Sequence, residues 1–283
     1  MGLEEVQIFL TTYLRDPEFR EGYRRGEAEA LEGRLNLSRD DVAFVRSIDL
    51  DDLDRSAAGF REERMDKRRT EFEQFFDHLG AYGPVDAFFA DYDRENPSGL
   101  LTRPLEMDRF LDYSTRFIVR RGLPEYLIDL LRFCYHYVQL ADRPLGQVAR
   151  ELTELPETGL RAYHRVQLHE PHRLVNFRYD VLNIARSEPS QELAYLQPQP
   201  TELFMQKSRR LFKRTQIVYA AQLPFLSRLA GGPTSVLELV SSLPSAEMAW
   251  AVGHLEHLHG AGMVAVTLPS HFTEQAELGA PKT

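Results

Sequence analysis

The sequence predicts a mainly helical α+β protein, with N-terminal and central helical regions followed by a small unit built on an antiparallel sheet. Three observations predict it. Apolar residues recur at helical spacing through most of the first 140 residues. Two β-prone runs, 202–207 and 215–221, flank a basic turn. Three short amphipathic patterns follow, each with its own stop signal, and then a closing β-prone run, Met263-Val264-Ala265-Val266-Thr267.

Composition bounds the function classes. The chain has 283 residues, enough to bury a sizeable core in one to three domains. Its 43 acidic and 34 basic residues give a net charge of −9, which argues against non-specific nucleic-acid binding, a process driven by phosphate neutralisation. Cys134 is the only cysteine, so no intrachain disulfide and no thiolate cluster is expected, which fits a reducing cytoplasm. The N-terminal stretch is acidic and amphipathic, unlike a signal peptide. No apolar run reaches the roughly 20 residues of a membrane span, so no membrane partner is expected.

Residues 1–80 form the first region and read as helical throughout. Val6, Phe9, Leu10, Tyr13 and Leu14 make a stripe that ends at Asp16-Pro17. Ser38 opens a second helix, with Asp40 and Asp41 in its first turn, and the acidic run 49–54 caps a third. Residues 55–79 alternate in charge as on a solvated helix and end in Phe72, Phe75, Phe76 and Leu79.

The second region covers 81–200. Asn96-Pro97-Ser98-Gly99 is a loop by its turn chemistry. Residues 110–119 and 123–140 are apolar with helical period, separated by Gly122-Leu123-Pro124. Val175, Phe177, Tyr179 and Val181 alternate as a half-buried strand does. Residues 188–200, rich in Pro and Gln, read as a linker.

The third region, 201–268, carries the hairpin and the three helical patterns. Leu223, Leu226 and Leu229 stop at Gly231-Gly232. Ser235 and Glu238 have capping-box spacing before Leu239, Val240 and Leu243, and Pro244 ends that helix. Met248, Ala251, Val252, Leu255 and Leu258 form the third stripe, stopped by Gly260 and Gly262. Residues 269–283 read as a flexible tail.

The order hairpin, helix, helix, helix, strand is winged-helix-like with its sheet in front. It resembles the PqqD-like peptide-recognition element of enzymes that modify ribosomal peptides. The hairpin, Leu226-Ser227-Arg228-Leu229-Ala230-Gly231-Gly232-Pro233-Thr234-Ser235-Val236-Leu237-Glu238-Leu239-Val240 and residues 255–264 carry the resemblance. Upstream, Arg121-Gly122-Leu123-Pro124-Glu125-Tyr126-Leu127-Ile128-Asp129-Leu130-Leu131-Arg132-Phe133 resembles a helix of the partner subunits of methanobactin-type multinuclear non-heme iron oxygenases. Two family features are not matched: Phe133 and Cys134 stand where a glutamate is usual, and the only tryptophan, Trp250, lies in the C-terminal unit. The spacing of Asp16-Pro17, Leu37-Ser38-Arg39-Asp40-Asp41 and Asp49 resembles small helical domains related to the α-subunit of ring-opening dioxygenases, and no residue role is carried over from it.

The resemblance implies a non-catalytic chain with no cofactor of its own and with iron held in a partner oxygenase. A ribosomal precursor peptide would add its leader to a sheet edge as an extra strand. Gln216, Val218 and Ala220 are the candidate edge, and Ala251, His254, Leu255 and Leu258 the candidate groove wall. In the basic turn, which also holds Lys207, Arg209 and Lys213, Arg210 and Arg214 would capture acidic side chains. Phe110, Tyr113, Phe117 and Tyr126 would dock the oxygenase, since aromatics are enriched at interface cores.

Other chemistry lacks a foothold in the sequence. His164, His169 and His172, and likewise His254, His257 and His259, lie close together, but no carboxylate at ligand spacing completes either set. Cys134 sits in an apolar helix as a small hydrophobe. No nucleophile elbow, phosphate loop or dinucleotide fingerprint occurs. The alternative reading is a winged-helix transcription regulator. Against it, the third helix, 246–259, contains no Lys or Arg and carries Glu247 and Glu256. A free-standing enzyme with dispersed residues is a third reading.

Overall fold

Side-chain caps set three of the helix starts in the N-terminal part. A computed structural model describes residues 3–96, 102–149, 151–208, 215–223, 225–241 and 243–269. Helix α1 (Leu3–Arg15) is followed by α2 (Pro17–Gly22), whose first N–H groups donate to the Asp16 carboxylate. After α3 (Ala28–Arg34), α4 (Arg39–Arg46) opens on a complete capping box between Ser38 and Asp41. Asp49 caps α5 (Leu50–Glu71), as its position predicts. The charged segment is two helices, α5 and α6 (Glu73–Gly80), with Phe72 at the break.

Contacts divide the chain into two units. Unit 1 takes residues up to 135 and 182–196; unit 2 takes 136–181 and everything from 197. The units are mainly helical and α+β respectively, and among the described residues every strand lies in unit 2.

Unit 1 adds α7 (Val85–Glu95), α8 (Arg103–Arg120), the start of α9 (Tyr126–Asp142) and most of α10 (Val181–Arg186). A small core of Phe9, Tyr13, Tyr23 and Val45 holds its first helices together. A larger aromatic core joins Phe72, Phe76, Phe88, Tyr92, Phe110 and Tyr113, with centroids 4.7 Å apart for Phe72–Phe110 and 5.0 Å for Tyr92–Tyr113. Helix α5 is not simply a solvated charged helix. Its Arg68 is buried and pairs with Glu71 and, at 3.0 Å, with Glu106 of α8, while Arg64 reaches the same Glu106 at 3.0 Å. The predicted loop at Asn96 begins where α7 ends, and its Pro97-Ser98-Gly99 lie outside the described residues.

Unit 2 contains two antiparallel three-stranded sheets. The first has the order β2 (His172–Phe177), β3 (Thr201–Lys207), β4 (Thr215–Tyr219). The second has the order β5 (Thr234–Ser235), β1 (Arg165–Leu168), β6 (Val264–Thr267). Helices α11 (Leu226–Ala230), α12 (Val236–Val240) and α13 (Ser245–Gly260) follow the predicted order. Ser235 and Glu238 close the predicted capping box, and Gly232 and Gly262 take the positive φ that ends α11 and α13. Pro244 precedes α13 directly.

Two differences from expectation matter. The central strand of the second sheet comes from residues 165–168, well upstream of the 201–268 region. The alternating segment 175–181 is a strand only to Phe177; Tyr179 and Val181 stay buried, but the chain turns at 178–180 into α10. The 188–200 segment holds a short 3₁₀ turn, Gln191–Tyr195, started by the Ser190 hydroxyl.

Candidate functional site: the free edge of β4

The first sheet ends at β4, and among the described residues no strand lies on its outer side. The direction of its backbone groups follows from one hydrogen bond. The Lys207 N–H donates to the Pro171 carbonyl at 3.1 Å, so Lys207 turns its backbone toward β2. Backbone groups in antiparallel strands alternate sides residue by residue. With Lys207 opposite Thr215, Gln206 opposite Gln216 and Phe204 opposite Val218, the Gln216 and Val218 groups face β3. Thr215, Ile217 and Tyr219 therefore aim theirs outward. The N–H and C=O groups of Thr215 and Ile217 meet no partner among the described residues.

This corrects the predicted edge. Gln216 and Val218 sit on β4, but their backbones pair inward. Val218 packs on the unit 2 core, and the Gln216 amide donates to the Ala261 carbonyl at 3.3 Å. Ala220 is buried in a 3₁₀ turn, where its carbonyl accepts from Leu223 N–H at 2.9 Å, so the edge stops at Tyr219. The Tyr219 hydroxyl donates to Asp180 at 3.0 Å and fixes that end. At the other end, Lys207 Nζ donates to the carbonyls of Ala141 and Arg143 at 2.5 and 2.7 Å, so it tethers β3 instead of belonging to a free basic patch. Arg210 and Arg214 lie outside the described residues.

Helix α13 carries the four residues predicted as a groove wall, and three of them are core residues. Ala251, Leu255 and Leu258 face the unit 2 core and are buried. Their i, i+4, i+7 spacing is that of a core stripe. His254 is on the neighbouring flank with Trp250 and His257. Trp250 stacks on His254 with centroids 5.3 Å apart and planes 8° apart; His254 and His257 follow at 6.5 Å and 25°. Trp250 is 56% exposed and packs on one side against Phe225 at 6.5 Å. The opposite flank holds Glu256, whose carboxylate accepts from Leu160 N–H at 2.8 Å. Two contacts join this neighbourhood: the Gln216 side-chain amide reaches the Ala261 carbonyl just past the end of α13, and Phe225, after β4, meets Trp250. Periodicity shows Ala251, Leu255 and Leu258 clearly; the ring row shows in the sequence only as the shared helical face of His254 and His257 and the lone tryptophan.

The remaining titratable groups serve the fold. His164 is buried, and its Nδ1 accepts from Arg161 N–H at 2.9 Å; burial, and then the Arg161 charge, holds its pKa below the usual imidazole range. His169 Nε2 lies 2.9 Å from Glu151, and His172 Nδ1 lies 3.1 Å from the His169 carbonyl. Burial lowers the pKa of His254 too, with the neighbouring His257 adding to it. No group of three or more His, Cys, Asp or Glu is placed to hold a metal among the described residues. Burial pushes the Cys134 thiol up to about 12, which suits a packing residue.

The residues predicted to dock an oxygenase are mostly interior. Phe110, Tyr113 and Tyr126 are fully buried in unit 1, so a surface partner does not reach them. Phe117 is half-buried, against Phe88 at 5.0 Å and under the Arg121 guanidinium at 5.4 Å. Their abundance reflects an aromatic core. No helix among the described residues is long and apolar enough to cross a membrane. No family model matches the chain, and no curated protein matches it.

Proposed function

We propose that the chain is a binding subunit that receives an extended peptide along the outer edge of β4. The carrying observation is that the N–H and C=O groups of Thr215 and Ile217, on an edge strand, meet no partner among the described residues. An added strand would gain main-chain hydrogen bonds there and choose its register through side chains. The order hairpin, helix, helix, helix, strand supports the further reading that this peptide is the leader of a ribosomal precursor. On that reading the chain presents the precursor to a separate iron-dependent oxygenase. DNA reading is disfavoured by α13, which carries no Lys or Arg and buries Ala251, Leu255 and Leu258 in the core.

Two prolines separate edge binding from folding. The Ile217 N–H points outward, so Ile217→Pro removes a docking donor and spares the β3–β4 ladder, as edge strands tolerate. The Val218 N–H pairs with β3, so Val218→Pro breaks the sheet. Fluorescence anisotropy with a labelled precursor leader is expected to show binding to the native chain and loss with Ile217→Pro, while circular dichroism stays native. Full binding by folded Ile217→Pro protein would remove β4 as the site.

A further inference from the structure

A cavity of about 540 Å³ opens in unit 2 at one end of the first sheet. Its walls include Leu174 of β2, Glu202 of β3 and Tyr219 of β4, with Asp180, Leu223 and Leu226. Its place follows from strand register. Leu174 lies opposite Phe204, and Glu202 stands two residues before Phe204, so all three share one face of the sheet. That face carries Phe204 and Val218 to the unit 2 core. The core covers it at Phe204 and leaves Leu174 45% exposed. The cavity therefore sits where the covering of that face ends, and its volume is in the range of small-molecule sites.

The lining divides into hydrocarbon and negative charge. Leu223 and Leu226 are buried core residues, and Leu174 adds an exposed apolar wall. The two charged groups are both carboxylates, and none of the described lining residues is Lys or Arg. Asp180 is held in place by the Tyr219 hydroxyl, which lies 3.0 and 3.3 Å from its two oxygens. The Glu202 carboxylate is exposed, with no ion pair or hydrogen bond among the described residues. An anion entering the cavity would meet two like charges. A cation would meet two opposite ones, each such pair being worth at most about fivefold in affinity at an exposed site. Charge alone is thus a weak hold, and an apolar body against the leucines must supply the rest.

We propose that this cavity binds an organic cation, an ammonium or guanidinium group on a hydrocarbon body. Glu202 and Asp180 take the charge, and Leu174, Leu223 and Leu226 take the body. The same chemistry belongs to a free organic amine and to a Lys or Arg side chain of a polypeptide. The site does not depend on a strand being added to the outer edge of β4.

The test is saturation-transfer NMR on the full-length chain with three probes of one shape: phenethylamine, the neutral phenethyl alcohol and the anionic 3-phenylpropionate. Phenethylamine is expected to bind roughly tenfold tighter than the alcohol, and 3-phenylpropionate weakest of the three. Glu202→Lys should invert that order while circular dichroism stays native, since the side chain is exposed. Glu202→Gln keeps the shape and should lower the amine's advantage about threefold. Leu174→Ala should weaken amine and alcohol alike, which a purely electrostatic surface would not show. Tighter binding of N-acetyl-lysine methylamide than of phenethylamine would assign the cation to a polypeptide side chain; the reverse order would assign it to a free amine. Equal affinity for the three probes, an order unchanged in folded Glu202→Lys and Glu202→Gln protein, or no saturable binding of any probe would overturn the proposal.

Discussion

Two aromatic clusters in this chain are treated in opposite ways. In unit 1 the rings are buried against one another, and arginines close the outside: Arg69 over Phe89, Arg121 over Phe117 and Arg120 over Tyr113. Burial, and then the Glu95 and Asp91 carboxylates, pushes the Tyr113 phenol up to about 12. In unit 2 the rings of Trp250, His254 and His257 stack along one flank of α13, where Trp250 is 56% exposed. Aromatic content alone therefore says little about interfaces. What distinguishes the two is whether a ring's faces are already covered by the chain itself.

The largest effects should fall on covered residues. Phe110→Ala removes a fully buried ring from the centre of the unit 1 cluster and is expected to cost about 3–5 kcal/mol. Leu255→Glu places an unpaired carboxylate in the unit 2 core and should prevent that unit from folding. It is thus a folding variant, not a probe of peptide binding. Urea unfolding checks both; a native-like Phe110→Ala protein that has lost only a binding partner would reverse the assignment of that ring to the core.

Next comes the ion network of unit 1. Arg68 is almost wholly buried between Glu71 and Glu106. Arg68→Met keeps its volume but leaves Arg64 and Arg103 alone to balance the two carboxylates. Breaking such a pair costs roughly 3 kcal/mol. The double change Arg68→Met with Glu106→Leu should recover part of that loss, and a double-mutant cycle by urea unfolding would read the coupling.

Local chemistry in the sequence specifies the caps at Asp16, Ser38, Asp49 and Ser235, the β3–β4 hairpin, and the three C-terminal helices. The strand β1 is not legible in the same way. It has four residues, and its partners lie about seventy and a hundred positions away, at 234–235 and 264–267; pairing over that distance leaves no local periodicity. The site was half legible. Alternation places Ile217 and Tyr219 on one face of β4, but it does not say which backbone groups face β3. That follows only once Lys207 is seen to bond Pro171. Likewise the α13 stripe identifies Ala251, Leu255 and Leu258 without saying whether they meet a ligand or the core.

A smaller effect concerns acid stability, where each unit has a buried histidine whose pKa is depressed. His78 and His164 both have pKa values lowered chiefly by burial. Each is held neutral in the folded chain, while the unfolded chain protonates near the ordinary value of about 6.5. The unfolded state therefore binds more protons below that pH, and stability is lost as pH falls through about 6.5 toward the depressed folded values. His164→Asn retains an acceptor for Arg161 N–H and cannot be protonated. Its urea midpoint is expected to fall less than that of the native chain between pH 7.5 and 5.5. An unchanged pH slope would mean that His164 does not titrate on unfolding.

The smallest effect compares the same device in both units. Ser38 and Ser235 each complete a capping box, with Asp41 and Glu238. Ser38→Ala removes one cap from α4, an eight-residue helix, and should cost about 1 kcal/mol. Ser235 has a second role: it is also a residue of β5, paired opposite Arg165 of β1. Helix α12 has only five residues and is too short to hold itself without its cap and its neighbours. Ser235→Ala should therefore loosen both the helix and the edge of the second sheet, and its cost should exceed that of Ser38→Ala. Hydrogen exchange locates the difference. Faster exchange is expected at the Val236 and Leu237 amides, which donate to the carbonyls of His164 and Ala162. Equal costs for the two serines, with those amides still protected, would show that the upstream segment holds α12 in place without its cap.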